Sequence, residues 1–169
     1  MPTFGILDKH SGRSSYDGRT QWEVTLTAHD PIRDFSRYKL QDRYTETSGR
    51  VFMTGTQALV RIMFDQARRD RARGQNTRGY ISGYRGSPVG GVDLEVAGHA
   101  TLVEEAGITF LPAINEELGA TQMIGTQQVE TDPDKTCEGV FGLWYGKGPG
   151  VDRAADALKH GNAYGSSPN

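Results

Sequence analysis

The sequence predicts an α/β fold, a mainly parallel sheet flanked by helices. Two observations carry this. Three short apolar runs, at residues 78–82, 108–111 and 139–145, alternate with stretches of helical period. That alternation implies right-handed βαβ crossovers and a parallel sheet. The 22 glycines also fall often at the strand-to-helix turns, which favours a loop-built ligand site over low complexity.

Residues 1–47 read as a flexible polar leader. Ser11-Gly12-Arg13-Ser14-Ser15 continues into Tyr16-Asp17-Gly18-Arg19, polar and rich in turn formers. Trp22-Glu23-Val24-Thr25-Leu26-Thr27 alternates as a short strand would. Pro31 and the mixed charges after it suggest an extended arm up to Tyr44. From residue 48 the pattern changes. Thr54 offers a hydroxyl cap, and Ala58, Leu59, Ile62, Met63 and Gln66 recur at helical spacing. That helix ends in Arg68-Arg69-Asp70-Arg71-Ala72-Arg73, read as a solvated basic end suited to the macrodipole.

Residues 78–82 form the first predicted strand. A single helix over 92–106 follows, with Gly107 as its C-cap, and residues 108–111 are the second strand. A helix over 116–130 carries Gly119, Ala120 and Gly125 as close-packing positions, and Pro133 breaks it. Residues 139–145 are the third strand, and 146–150 turn into a last helix. Parallel sheets usually have more than three strands and need both faces covered. The expectation is therefore a piece of a larger protein.

Composition narrows the partners. Lys+Arg 19 against Asp+Glu 21 gives a net charge of −2, which argues for neither nucleic acid nor membrane. No secretory h-region is visible, and no apolar run approaches the ~20 residues of a membrane span. The chain reads as cytoplasmic. A single cysteine, Cys137, excludes an internal disulfide and an iron–sulfur cluster held by this chain alone. It reads as a small buried hydrophobe. His99 and His160 show no metal-ligand spacing with Cys137, so no metal site is expected here.

Two turns carry the chemistry. Residues 79–91 break from a strand into a glycine-rich loop that exposes Arg85 and Ser87. Residues 112–120 do the same with Asn115 in front of Glu116 and Glu117. Parallel strands release such loops at one carboxyl edge, so the two should lie side by side. The glycine spacing matches neither a dinucleotide loop nor a Walker loop. A helix N-terminal anion site and a plain structural turn both remain open for residues 87–91. Asn115 with two first-turn acids is equally the signature of a helix cap, against which stands a desolvated carboxylate acting as acid or base. Asp93, Glu104, Glu105 and Glu130 read as solvated helix charges.

Four motifs resemble a known family: Gly49-Arg50-Val51-Phe52-Met53-Thr54-Gly55-Thr56-Gln57, Ile81-Ser82-Gly83-Tyr84-Arg85-Gly86-Ser87-Pro88, Asn115-Glu116-Glu117, and Val140-Phe141-Gly142-Leu143-Trp144-Tyr145-Gly146-Lys147-Gly148-Pro149-Gly150. In order and spacing they resemble the long fused bacterial indolepyruvate ferredoxin oxidoreductases. These belong to the thiamine-diphosphate-dependent 2-oxoacid:ferredoxin oxidoreductases. The resemblance implies that residues 48–169 are a partial pyrimidine-binding domain. It implies that Glu116 is the catalytic glutamate set against the pyrimidine N1′ of thiamine diphosphate, with Asn115 beside it at the cofactor. Ser87, Gly86 and Arg85 would meet the substrate. Arg85 stands where shorter relatives carry other residues, so it either faces the substrate carboxylate or is a surface arginine.

The resemblance also implies coenzyme A and ferredoxin as partners, and the remaining domains or subunits of an oligomeric enzyme. Mg²⁺ and iron–sulfur clusters would come from those other parts. Alone, the chain should not turn over substrate. A non-catalytic α/β ligand-binding module or a truncated remnant is the competing reading.

Overall fold

The computed structural model describes residues 38–86, 89 and 91–166, all within the compact unit Arg37–Asn169. Ser87 and the Trp22-to-Thr27 strand lie outside the described residues.

Helix α1 (Asp42–Thr45) precedes the long α2 (Gly55–Ala72). Thr54 starts α2 as anticipated: its Oγ1 accepts from Gln57 N at 3.3 Å, and Gln57 Oε1 accepts from Thr54 N at 2.9 Å. This reciprocal box satisfies two backbone donors that the helix leaves unpaired. Val60, Met63, Phe64 and Ala67 recur on one side of α2 and are buried.

Strand β1 (Thr77–Gly83) is followed by α3 (Gly91–Gly98), α4 (Ala100–Glu105) and β2 (Ile108–Phe110). Then come α5 (Glu116–Thr126), a 3₁₀ turn (Val129–Thr131), β3 (Gly139–Tyr145), α6 (Gly148–Arg153) and α7 (Ala155–Tyr164). The three strands sit where the apolar runs placed them. They form a parallel sheet in the order β2-β1-β3. Ile81, in the middle of β1, is fully buried between helices on both faces. The two crossovers run to opposite sides of β1. Right-handed connections then put α3 and α4 on one face of the sheet and α5 on the other. Accordingly α2 packs with α3, and α5 with α7.

Several element boundaries differ from expectation. The single helix over 92–106 is two, parted at His99, whose φ of −128° and ψ of 31° leave the helical region. Gly107 closes α4 with φ +71°, a left-handed conformation that glycine adopts at no steric cost. Helix α5 stops at Thr126 rather than at Glu130, and the last helix is split between α6 and α7. Of the three small residues on α5, Gly119 and Ala120 do pack closely. A Cβ on Gly119 would lie 3.2 Å from both Ala113 Cβ and Trp144 Nε1, whereas one on Gly125 would meet nothing within 4 Å.

The leader assigned to residues 1–47 reaches into the fold. Tyr44 lies in α1 rather than in an extended arm, and it is 1% exposed. Its ring packs on Phe64 and edge-on to His99, and its hydroxyl donates to Glu95 Oε1 at 2.7 Å. Burial and that hydrogen bond to a carboxylate both push the Tyr44 phenol above its ordinary range. Arginines of α2 hold the segment from below. Arg61 donates to the carbonyls of Arg43 and Glu46, and Arg68 to that of Tyr44. Arg71 Nη2 donates to Glu105 O at 2.9 Å. The basic run is thus partly spent on unpaired carbonyls, not only on solvent.

Candidate functional site

In an open parallel sheet, ligands bind outside the carboxyl ends of the strands, where the strand order reverses. Here that point lies beside β1, between its neighbours on either side. Leu111 N donates to Ile81 O at 3.0 Å and Ala113 N to Gly83 O at 2.9 Å, and Tyr84 bridges to Ala113. The turns after β1 and β2 therefore leave the sheet side by side, as expected. Gly83 also pairs with Tyr145, so the turn after β3 opens at the same edge.

Asn115 and Glu116 open α5 at this edge. Asn115 has φ −151° and ψ 173°, and its Oδ1 accepts from Leu118 N at 2.9 Å. It therefore caps the helix, as one of its two readings had it. Glu116 follows and is only 7% exposed, while Glu117 faces solvent. Trp144 Nε1 donates to the Glu116 carbonyl at 3.1 Å. The Glu116 side chain lies against the turn after β3: a Cβ built on Gly150 would fall 2.5 Å from its Cγ and 2.8 Å from its Oε1. Among the described residues, no hydrogen bond or ion pair is made by its carboxylate. A buried carboxylate with no protein partner suits a ligand that brings its own hydrogen-bonding group.

The first turn is engaged differently. Gly86 is covered by its neighbour, since a Cβ there would lie 2.6 Å from the Tyr84 ring and hydroxyl. Arg85 is two-thirds exposed, and its Nε sits 3.3 Å from Asp93 Oδ2. Asp93 is not the solvated helix charge expected; it is 7% exposed. Its Oδ1 accepts from the Tyr145 hydroxyl, and its Oδ2 is buried without a hydrogen bond, opposed only by Arg85. Asp93 and Val96, three residues apart, fall on the same inward side of α3, which is the signal that should have marked it. The structure thus brings Arg85 and Asp93 together at one point of the edge. It ties Asn115, Glu116, Trp144 and Gly150 together at another.

Burial holds the Asp93 carboxyl above its ordinary 3.8, with the Arg85 cation pulling the other way. The folded chain therefore binds this proton more tightly than the unfolded chain. The contribution of Asp93 to stability falls as pH rises from about 3.8 through the raised folded value. Wild type should lose stability against Asp93→Asn across that window and run parallel to it above. Urea denaturation of both proteins at a series of pH values reads this. Curves parallel throughout would show that folding does not raise the Asp93 pKa.

No known family, curated protein or solved structure matches the chain.

The geometry alone must then carry the site. A cavity of about 290 Å³ lies between α5, α7 and β3, lined by Met123, Ile124, Trp144 and Leu158 among others, and Glu116 does not line it. The carboxylate marks the site better than this volume does, because an edge completed by another domain need not enclose space. Among the described residues no group of three or more His, Cys, Asp and Glu is placed to hold a metal. No helix among them is long and apolar enough to cross a membrane. Cys137 is buried, as its reading as a small core residue required.

Proposed function

We propose that the chain is the aminopyrimidine-binding part of a 2-oxoacid:ferredoxin oxidoreductase. The whole enzyme would decarboxylate an aryl 2-oxo acid such as indolepyruvate to carbon dioxide and acyl-coenzyme A. Two electrons would pass singly through iron–sulfur centres to ferredoxin, in the cytoplasm. The observation that carries the reading is the buried carboxylate of Glu116. It stands without a protein partner at the strand-order reversal, in the one position the family motif assigns to the catalytic glutamate. Its exposed neighbour Glu117 has no such environment.

The residues fit the cofactor's pyrimidine. Glu116 would hydrogen-bond the ring nitrogen N1′ and hold a proton there, which selects the tautomer able to accept a further proton. Asn115 keeps the first turn of α5 in place beneath it. Arg85 would offer its exposed face to the substrate carboxylate while Asp93 holds its Nε. Ser87 and Gly86 belong to the same substrate loop by the motif. When bound, thiamine diphosphate supplies the nucleophilic carbon that decarboxylation needs; the protein orients it. Mg²⁺, the clusters and the coenzyme A site belong to the remaining domains or subunits.

The test is ferredoxin or dye reduction by the complete protein with thiamine diphosphate, Mg²⁺ and coenzyme A. Indolepyruvate should support it and pyruvate much less. No reduction with any 2-oxo acid would sink the reading. The second reading, a non-catalytic α/β binding module, draws on the structural duties of two site residues: Asn115 caps α5, and Arg85 offsets a buried acid.

A further inference from the structure

The turn after β3 fits no nucleotide motif, and the proposed chemistry leaves it unused. Yet it touches Glu116 from three directions. Trp144 Nε1 holds the carbonyl of residue 116 at 3.1 Å. Gly146 comes next, and a Cβ there would lie 3.0 Å from the Trp144 ring and 3.6 Å from Glu116 Cγ. Gly150, buried in α6, faces the carboxylate itself: the three nearest atoms to a Cβ there are Glu116 Cγ, Oε1 and Cδ, at 2.5, 2.8 and 2.9 Å. Gly150 is not among the glycines with positive φ, so its backbone does not need glycine. Inside a helix, alanine is the better residue by propensity. What glycine provides at this position is room for one side chain.

We infer that Trp144 and Gly150 are positioning residues for Glu116, one fixing its backbone and the other seating its carboxylate. Their functional meaning rests on the role proposed for Glu116; the contact itself does not. With Gly150 bare, the carboxylate lies flat against the α6 backbone, held below the edge where a ligand would meet it. Any side chain at residue 150 must push it outward, because a 2.5 Å approach between carbons is far inside van der Waals contact.

A cofactor-free double-mutant cycle on this chain decides the matter. Gly150→Ala should lower the folding equilibrium constant by about tenfold, in the range of coupling between touching residues. In a Glu116→Ala background the same change should instead raise it, by up to about fivefold, as alanine does in a helix. The second readout is the Trp144 indole N–H resonance, assigned with Trp22→Phe. Gly150→Ala should shift it and speed its exchange in the Glu116 background, and leave it in place in the Glu116→Ala background. A general disturbance of the turn would move it equally in both.

Equal effects of Gly150→Ala in the two backgrounds, or no effect in either, overturn the inference. If Gly150→Ala does not fold, recovery of folding in the double variant supports it, and a double variant that stays unfolded overturns it. No cofactor enters these measurements. Absence of 2-oxo-acid-dependent reduction in wild type would therefore defeat the proposed function and leave the clamp on Glu116 to be judged by the cycle alone.

Discussion

Glu116→Gln in the complete enzyme should leave the fold intact and remove most of the 2-oxo-acid-dependent ferredoxin reduction. The amide is nearly isosteric with the carboxylate and still fits against Gly150. Loss of one negative charge in the first turn of α5 costs only about 0.3–1 kcal/mol. The rate should fall by about 10²–10⁴-fold, the usual worth of a positioned acid or base. A neutral amide cannot hold the ring-nitrogen proton in the way the proposed role requires. Glu117→Gln is the internal control. Glu117 shares the first turn and the same helix dipole but faces solvent, so its loss should barely change the rate. The measurement is turnover beside thermal unfolding for both variants. If Glu116→Gln retains near-wild-type turnover, or loses it only through unfolding, then Glu116 is a first-turn acid and nothing more.

Tyr44→Ala should destabilise the chain by about 3–5 kcal/mol, the range for deleting a buried aromatic. A domain of ordinary stability has about 5–15 kcal/mol in all, so this one change endangers the fold. The ring fills space between Phe64 and His99, and its removal leaves a cavity that α1 and α2 cannot both close. Tyr44→Phe separates the two contributions. It keeps the ring and takes away the donor to Glu95 Oε1, for a cost of about 1–3 kcal/mol. Glu95 keeps Gln57 Nε2 on its other oxygen at 3.3 Å, which argues for the lower end of that range. Urea titrations read both. A change below about 1 kcal/mol for Tyr44→Ala would return this segment to a dispensable leader.

The strands were legible because a parallel strand buried on both faces must be a continuous apolar run, bounded here by glycines and turns. The side-by-side turns followed from topology alone. Glu116 could be told from Glu117 only through the motif, since both are first-turn acids by pattern. Burial now separates them. Tyr44 was hidden because one aromatic in a polar stretch has no periodicity to betray it; its place is set by Phe64, His99 and two arginines far along the chain. Asp93 was misread for a related reason. A lone acid on a helix is solvated by default, and only the Tyr145 hydroxyl and Arg85, supplied by other elements, let it be buried. Gly150 is harder still. Its role is an empty volume, and no residue-by-residue reading sees the side chain that fills it.

The ladder between β1 and β3 bears on how the chain finds its fold. Thr77 pairs with Gly139, a separation of 62 residues (139 − 77), while Gly79 pairs with Ile108, a separation of 29 (108 − 79). Doubling a loop adds only about 0.6 kcal/mol to closure, under threefold in rate. Against that small handicap, β1 makes seven residue pairs with β3 and three with β2. The long-range ladder is also fastened at its amino end, where Asn76 N donates to Glu138 Oε2 at 2.7 Å and Glu138 N to Asn76 O at 2.8 Å. The more distant partner should therefore dock first, with the nearer strand added to a frame already built. Substitutions in β3 should slow refolding, whereas those in β2 should mainly speed unfolding. Stopped-flow kinetics of Leu143→Ala and Ile108→Val would show the reverse partition if β2 docks first.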